Sequence, residues 1–128
     1  MSDNELIQKA IEMRSKALAP YSSYKVGAAV LTESGRIFGG CNVENSSYSL
    51  TMCAERVALF KAISEGEKKF KALSVSTKNA GMPCGECRQV IWDICGNIPV
   101  LICDDNSLIT KTESIELLPM PFDATKLL

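Results

Sequence analysis

Three cysteines and one glutamate stand at spacings that suit metal-assisted hydrolysis. Cys84-Gly85-Glu86-Cys87 is a C-x-x-C pair preceded directly by Pro83, and Cys53-Ala54-Glu55 lies upstream of it. Zinc takes about four ligands in a tetrahedron, and a catalytic site keeps one position for water. Thiolates from Cys53, Cys84 and Cys87, with one water, fill that count. Zinc lowers the pKa of such a water toward about 7, and a carboxylate must then carry its proton. Glu55, two residues beyond Cys53, can face the same pocket. The chain contains no histidine. A Ser-His or Cys-His nucleophile is therefore excluded within it, and any general acid or base must be Glu, Asp, Lys, Cys or Tyr.

Three thiolates over-neutralise one Zn²⁺, and the extra negative charge opposes ionisation of water. Two helix N-termini aimed at the sulfurs offset this, each with a partial positive charge of roughly +0.5. Arg56 is the candidate to donate hydrogen bonds to the thiolates, with Arg88 competing for the role. Other readings of the C-x-x-C stay open. Alone it is also half of a structural zinc site or a redox dithiol. A structural site would need Cys41, Cys95 or Cys103 as fourth ligand. Those three show no paired spacing and read as buried small hydrophobes. A dithiol leaves Cys53 and Glu55 without a role. Glu86, between the two cysteines, reads as exposed.

The elements that must position these groups follow from periodicity and punctuation. Residues 4–19 carry Leu6, Ile7, Ala10, Ile11, Met13, Ala17 and Leu18 at near-helical spacing, and a helix is expected to stop before Pro20. Val26–Leu31 and Ile37-Phe38, around Glu33-Ser34-Gly35, read as a hairpin. Residues 41–51 read as a loop and 53–64 as a helix, with Gly66 as its stop. A strand over 70–77, a loop over 78–83, a helix over 84–95 and a strand over 99–103 come next. After a turn at Asp104-Asp105-Asn106, a last strand spans 108–111. A short helix over 114–118 has Ser114 as candidate cap. Both cysteine groups fall where a loop enters a helix. The order implies an α/β fold, with a mixed sheet between helices on both faces.

Composition agrees with one domain over residues 1–128. Apolar residues make up 46% and charged residues 23%, with 14 basic against 15 acidic side chains and a net charge of −1. That balance lacks the basic surface a nucleic-acid binder needs. No stretch approaches the ~20 apolar residues of a membrane span. The polar, acidic start at Met1-Ser2-Asp3-Asn4-Glu5 lacks the pattern of a secretory signal. A cytoplasmic protein with reduced cysteines is the expectation.

Taken together, C-A-E followed by P-C-x-x-C is the signature of zinc nucleobase deaminases. The chain resembles the cytidine deaminases of the small, homotetrameric, three-cysteine type. The resemblance runs over nearly its whole length. It is carried by Tyr21-Ser22-x-Tyr24-x-Val26-Gly27-Ala28-Ala29, Gly40-Cys41-Asn42-Val43-Glu44-Asn45, Tyr48, Cys53-Ala54-Glu55-Arg56, Pro83-Cys84-Gly85-x-Cys87-Arg88-Gln89 and Glu116-Leu117-Leu118-Pro119. It implies a three-layer α/β/α sandwich with a five-stranded mixed sheet and one zinc ion per subunit. It implies hydrolytic deamination of cytidine and deoxycytidine in pyrimidine salvage. By resemblance, Asn42 and Glu44 hold the ribose, Tyr24 packs on the pyrimidine and Ala54 faces the substrate. Relatives often carry Phe where this chain has Tyr24. Tyr48 and Phe122 would reach into neighbouring subunits' sites, so the active sites of a homotetramer would be shared. Glu44 would repel a phosphate placed on its side, which favours a free nucleoside.

Overall fold

The computed structural model describes residues 3–127; residues 1, 2 and 128 of the expected single domain lie outside the described part. Four helices and five strands follow in the order α1 (Asp3–Arg14), β1 (Gly27–Thr32), β2 (Ile37–Cys41), α2 (Ala54–Ser64), β3 (Phe70–Ser76), α3 (Gly85–Cys95), β4 (Pro99–Cys103), β5 (Leu108–Glu113) and α4 (Ser114–Leu117). The sheet order is β2-β1-β3-β4-β5. Only β3 and β4 are parallel, joined by the α3 crossover; the other neighbours are antiparallel. The sheet is mixed and five-stranded, as expected.

Strand alternation sorts side chains to two faces. Ala28, Val30, Leu73, Val75, Val100 and Ile102 pack with Ala58 and Leu59 of α2 and Ile91 of α3. Ala29, Ala72, Leu101 and Cys103 pack with Leu6, Ile7 and Ala10 of α1. Helices therefore cover both faces. Leu59, Leu73, Leu101 and Ile91 are almost fully buried, each stabilising the fold by roughly 1.5–3 kcal/mol.

Two glycines let helices lie directly on the sheet. A Cβ at Gly27 would sit 2.0 Å from the Ala10 carbonyl oxygen and 2.4 Å from the Arg14 nitrogen. A Cβ at Gly40 would sit 2.5 Å from the Ala58 nitrogen and 2.6 Å from the Ala54 oxygen. The first contact seats α1 and the second seats α2, the helix that follows Cys53.

Several expected boundaries move. The first helix ends at Arg14 rather than running through residue 19. Leu18 instead pairs with the segment after β2, its N–H donating to Asn42 O at 3.0 Å and its carbonyl accepting from Glu44 N at 2.8 Å. Those bonds satisfy backbone groups that a continued helix would leave without partners. The second strand extends to Cys41, into the expected loop, because Gly39, Gly40 and Cys41 pair with Ala29, Ala28 and Gly27. The remainder of that loop holds a 3-10 turn at Tyr48–Leu50. The last strand reaches Glu113. Ser114 makes no capping bond to α4. It is buried, and its hydroxyl donates to Ile98 O and accepts from Ile98 N, tying α4 to the start of β4.

Candidate active site

One end of the sheet gathers every site segment. The start of β1 (Gly27) lies beside the ends of β2 (Cys41) and β3 (Ser76), and Ser76 lies beside Cys103 at the end of β4. Open α/β sheets bind ligands outside such strand ends. The segments before β1 and after β2 and β3, with the first turns of α2 and α3, enclose a cavity of about 300 Å³. Tyr24, Asn42, Glu44, Cys53, Ala54, Glu55 and Cys84 all line it. That size lies at the lower end of small-molecule sites.

Cys53 and Cys84 occupy the N-cap positions of α2 and α3. Both have extended backbone, and neither side chain makes a capping bond. Their sulfurs are left free to point toward the cavity, at the positive ends of two 11-residue helices. Cys87 lies one turn into α3 and is buried. The Cys53 and Cys84 Sγ atoms are 3.8 Å apart. All three sulfurs lie within 4.8 Å of one another. Zinc–sulfur bonds of about 2.3 Å in a tetrahedron require sulfurs about 3.8 Å apart, so the donor set fits one zinc ion per chain. Cys41, Cys95 and Cys103 lie outside the cluster. Burial pushes Cys95 up to about 12, and burial with the nearby Asp104 pushes Cys103 up to about 11. A four-thiolate structural site is not assembled.

Arg56 donates from Nη2 to Cys53 Sγ at 3.1 Å. Hydrogen bonding from Cys87 and then from Arg56 holds Cys53 well below the ordinary thiol range. Cys87 is pushed up, first by its hydrogen bond to Cys53 and then by burial. Arg88 turns away, donating to the Pro83 and Leu117 carbonyls at 2.7 and 3.1 Å. It braces the chain before Cys84 rather than the sulfurs.

Glu55 sits in the first turn of α2 and is only 4% exposed. Burial, reinforced by the Cys53 thiolate, raises it to about 7. A carboxyl poised near neutrality can both accept and return a proton.

The opposite wall is polar and ordered. Asn42 is 7% exposed. Its side-chain oxygen accepts from Val26 N and its amide donates to Tyr24 O, each at 2.9 Å. One donor and one acceptor site of the amide remain uncommitted. Glu44 accepts from the Tyr21 and Ser22 backbone N–H groups at 3.0 and 3.1 Å and from the Ser22 hydroxyl. Those bonds, the hydroxyl first, hold it below the usual carboxylate range. Ala54 is fully buried at the floor.

Two expected residues stand apart. Tyr48 is 71% exposed and packs edge-to-face on Tyr21, with ring centroids 5.8 Å apart. It borders a neighbouring cleft with Ser22, Glu44 and Thr51. Phe122 lies across α3, in a separate apolar cavity of about 420 Å³ with Phe60, Val90, Ile94 and Leu127. Tyr48 also borders a cleft with Cys53, Arg56 and Glu86, and neither residue lines the cavity that holds Glu55. Conversely, Thr51, Thr77, Gly81 and Met82 line it without having been singled out as site residues from sequence. Only their nearness to marked residues, such as Met82 before Pro83, could have flagged them.

A mixed open sheet with three thiols and a buried carboxyl at its strand ends defines a zinc-dependent deaminase. The profile of the cytidine and deoxycytidylate deaminase zinc-binding region matches residues 1–102. The chain is 47% identical to a cytidine deaminase of Sporosarcina psychrophila, over 95% of this chain and 92% of that one. It is 44% identical to a cytidine deaminase of Halalkalibacterium halodurans, over 97% and 96%. A crystal structure of a cytidine deaminase from Burkholderia pseudomallei superposes with a TM-score of 0.91 at 42% identity, covering 95% of this chain and all of that one. The chain belongs to the cytidine and deoxycytidylate deaminase family. Among the described residues, no helix is long and apolar enough to cross a membrane.

Proposed function

We propose that this chain deaminates cytidine and deoxycytidine hydrolytically, giving uridine or deoxyuridine and ammonia, as a single catalytic domain of the cytoplasm serving pyrimidine salvage. The observation that carries the reading is one cavity lined by Cys53 and Cys84 of the three-thiol cluster and by a nearly buried Glu55, with Asn42 and Glu44 on the facing side.

Cys53, Cys84 and Cys87 would hold the zinc ion, and Arg56 steadies the Cys53 sulfur. When bound, zinc makes a water acidic enough to act as nucleophile near neutral pH. Glu55 accepts one proton from the attacking water and passes it to the pyrimidine N3, then takes the remaining proton from the new C4 hydroxyl and delivers it to the amine, which departs as ammonia while the C4 carbonyl forms. Burial suits Glu55 to the task, because a carboxyl near 7 exchanges protons in both directions. Glu44 accepts from a ribose hydroxyl with lone pairs its loop bonds leave free, and Asn42 donates and accepts beside it. The Tyr24 ring packs on the base and Ala54 closes the floor. The ionised Glu44 disfavours a phosphate placed on its side of the sugar, and a net charge of −1 favours a small nucleoside over a nucleic acid.

The active form is a homotetramer with shared sites. Tyr48 and Phe122 are exposed and lie outside the cavity of their own chain, as residues serving a neighbour would. Phe60, Ile63, Phe122 and Leu127 leave apolar surface for an interface.

Ammonia release from cytidine, with cytidine 5′-monophosphate in parallel and Glu55→Gln as control, tests the reading. Turnover of cytidine, lost in a control that retains zinc, is expected. Turnover of the monophosphate alone would overturn the roles given to Asn42 and Glu44. No turnover of either, in zinc-loaded protein, would overturn the substrate.

A further inference from the structure

The loop between β3 and α3 delivers Cys84, and it is tied to the aromatic wall of the cavity by one side chain. Tyr24 Oη donates to Asn79 Oδ1 at 2.7 Å. The same oxygen accepts from Thr77 Oγ1 at 3.4 Å, and Thr77 Oγ1 accepts from the Gly81 N–H at 2.6 Å. The Lys78 ammonium lies 5.9 Å from the centroid of the Tyr24 ring, within cation–π range. Gly81 touches the hydroxyl so closely that a Cβ there would sit 2.5 Å from Tyr24 Oη. Three loop residues thus converge on one phenol.

Both ends of this connection carry left-handed backbone. Ser23, just before Tyr24, has φ 59°, and Ala80, between Asn79 and Gly81, has φ 55°. Non-glycine residues keep such angles only where surrounding contacts over-determine them. The Tyr24–Asn79 bond joins the two strained segments directly, and both Tyr24 and Gly81 line the cavity. A phenylalanine ring would fill the wall equally well and make none of these polar contacts.

We propose that Tyr24 is a positioning residue: its hydroxyl latches the 78–83 loop through Asn79 and so sets the width of the cavity where the pyrimidine enters. This rests on the reading of that cavity as the nucleoside site. The ring packs on the base and the hydroxyl fixes where the opposing loop stands. Loss of the hydroxyl loosens substrate binding more than the chemical step, because Cys84 is braced separately by Arg88 on the Pro83 carbonyl.

The test uses the zinc-loaded full chain, measuring KM and kcat for cytidine and amide hydrogen exchange over 78–83. Tyr24→Phe and Asn79→Ala are each expected to raise KM roughly three- to tenfold, the value of one hydrogen bond. kcat should stay within about twofold, and loop exchange should quicken in both. The double variant is expected to be no worse than either single, because both remove the same bond. Gly81→Ala, which pushes the hydroxyl aside without deleting it, should match Tyr24→Phe. Asn79→Asp, which keeps an acceptor, should restore both readouts. Unchanged KM and exchange in Tyr24→Phe would overturn the latch. So would additive effects in the double variant, or a fall in kcat at constant KM. A wild-type protein inert toward cytidine would instead overturn the substrate reading, while loop exchange would still decide the latch.

Discussion

Replacing Gly40 by alanine should damage the active site from the far side of a helix. The Cβ would lie 2.5 Å from Ala58 N and 2.6 Å from Ala54 O, both backbone atoms of α2. Comfortable contact begins near 3.5 Å, so α2 must move about 1 Å from the sheet. No flexible side chain can yield in its place. Overpacking of this kind costs about 1–3 kcal/mol, or roughly 5–12 °C in melting temperature for a chain of this size. The same shift carries Cys53 and Glu55 away from Cys84 and Cys87, which ride on α3. Misplacement by 1 Å costs on the order of 100-fold in rate. Calorimetry of the zinc-loaded protein, with kcat/KM for cytidine, gives both numbers. Gly85→Ala is the control, since a Cβ there meets nothing within 4 Å; it should leave the melting temperature unchanged or slightly raised. A Gly40→Ala protein melting within about 2 °C of wild type with kcat/KM within about twofold would refute the reasoning, because α2 could not then sit so tightly on β2.

Three further outcomes follow from the same geometry. Cys87→Ala should lose zinc and thermal stability together, since metal binding and folding are linked; full zinc content with an unshifted melting point would contradict that. Arg56→Ala should retain the fold but release zinc to a chelator about 10- to 100-fold more readily, and an unchanged release rate would remove Arg56 from the thiolate environment. The single tryptophan reports on Asp123. The Thr125 hydroxyl, then the Trp92 indole N–H at 3.2 Å, hold that carboxylate below the usual aspartate range. A depressed folded pKa means the contact's stabilisation is complete above the unfolded value of about 3.9 and fades as pH falls through the folded one. Trp92 emission should therefore stay flat from neutrality to about pH 4 and change below it, and Asp123→Asn should abolish that step. A transition above pH 4 would count against the contact.

The chemistry was legible in the linear sequence because it depends on residue type and local spacing. Cys84 and Cys87 stand one helical turn apart whatever surrounds them. Glu55 is two residues from Cys53, and without histidine few other groups could serve. The alternating strands and the glycine stop at Gly66 were equally local; Gly66 lies in positive-φ backbone after α2, as Gly96 does at the end of α3. Long-range contacts decided the rest. Residues 15–19 have helical periodicity, yet pairing of Leu18 with Asn42 and Glu44 outweighs another helical turn. Ser114 has the type of a cap but bonds to Ile98, sixteen residues away. Arg56 is the candidate on paper, with Arg88 competing, and packing alone aims the first at sulfur and the second at carbonyls. The depth at which Glu55 is buried, and the Tyr24–Asn79 bond across the cavity mouth, arise only when the ends of β1, β2 and β3 come together. Sequence determined which groups could react; tertiary structure determined their distances, protonation and direction, because those depend on neighbours remote along the chain.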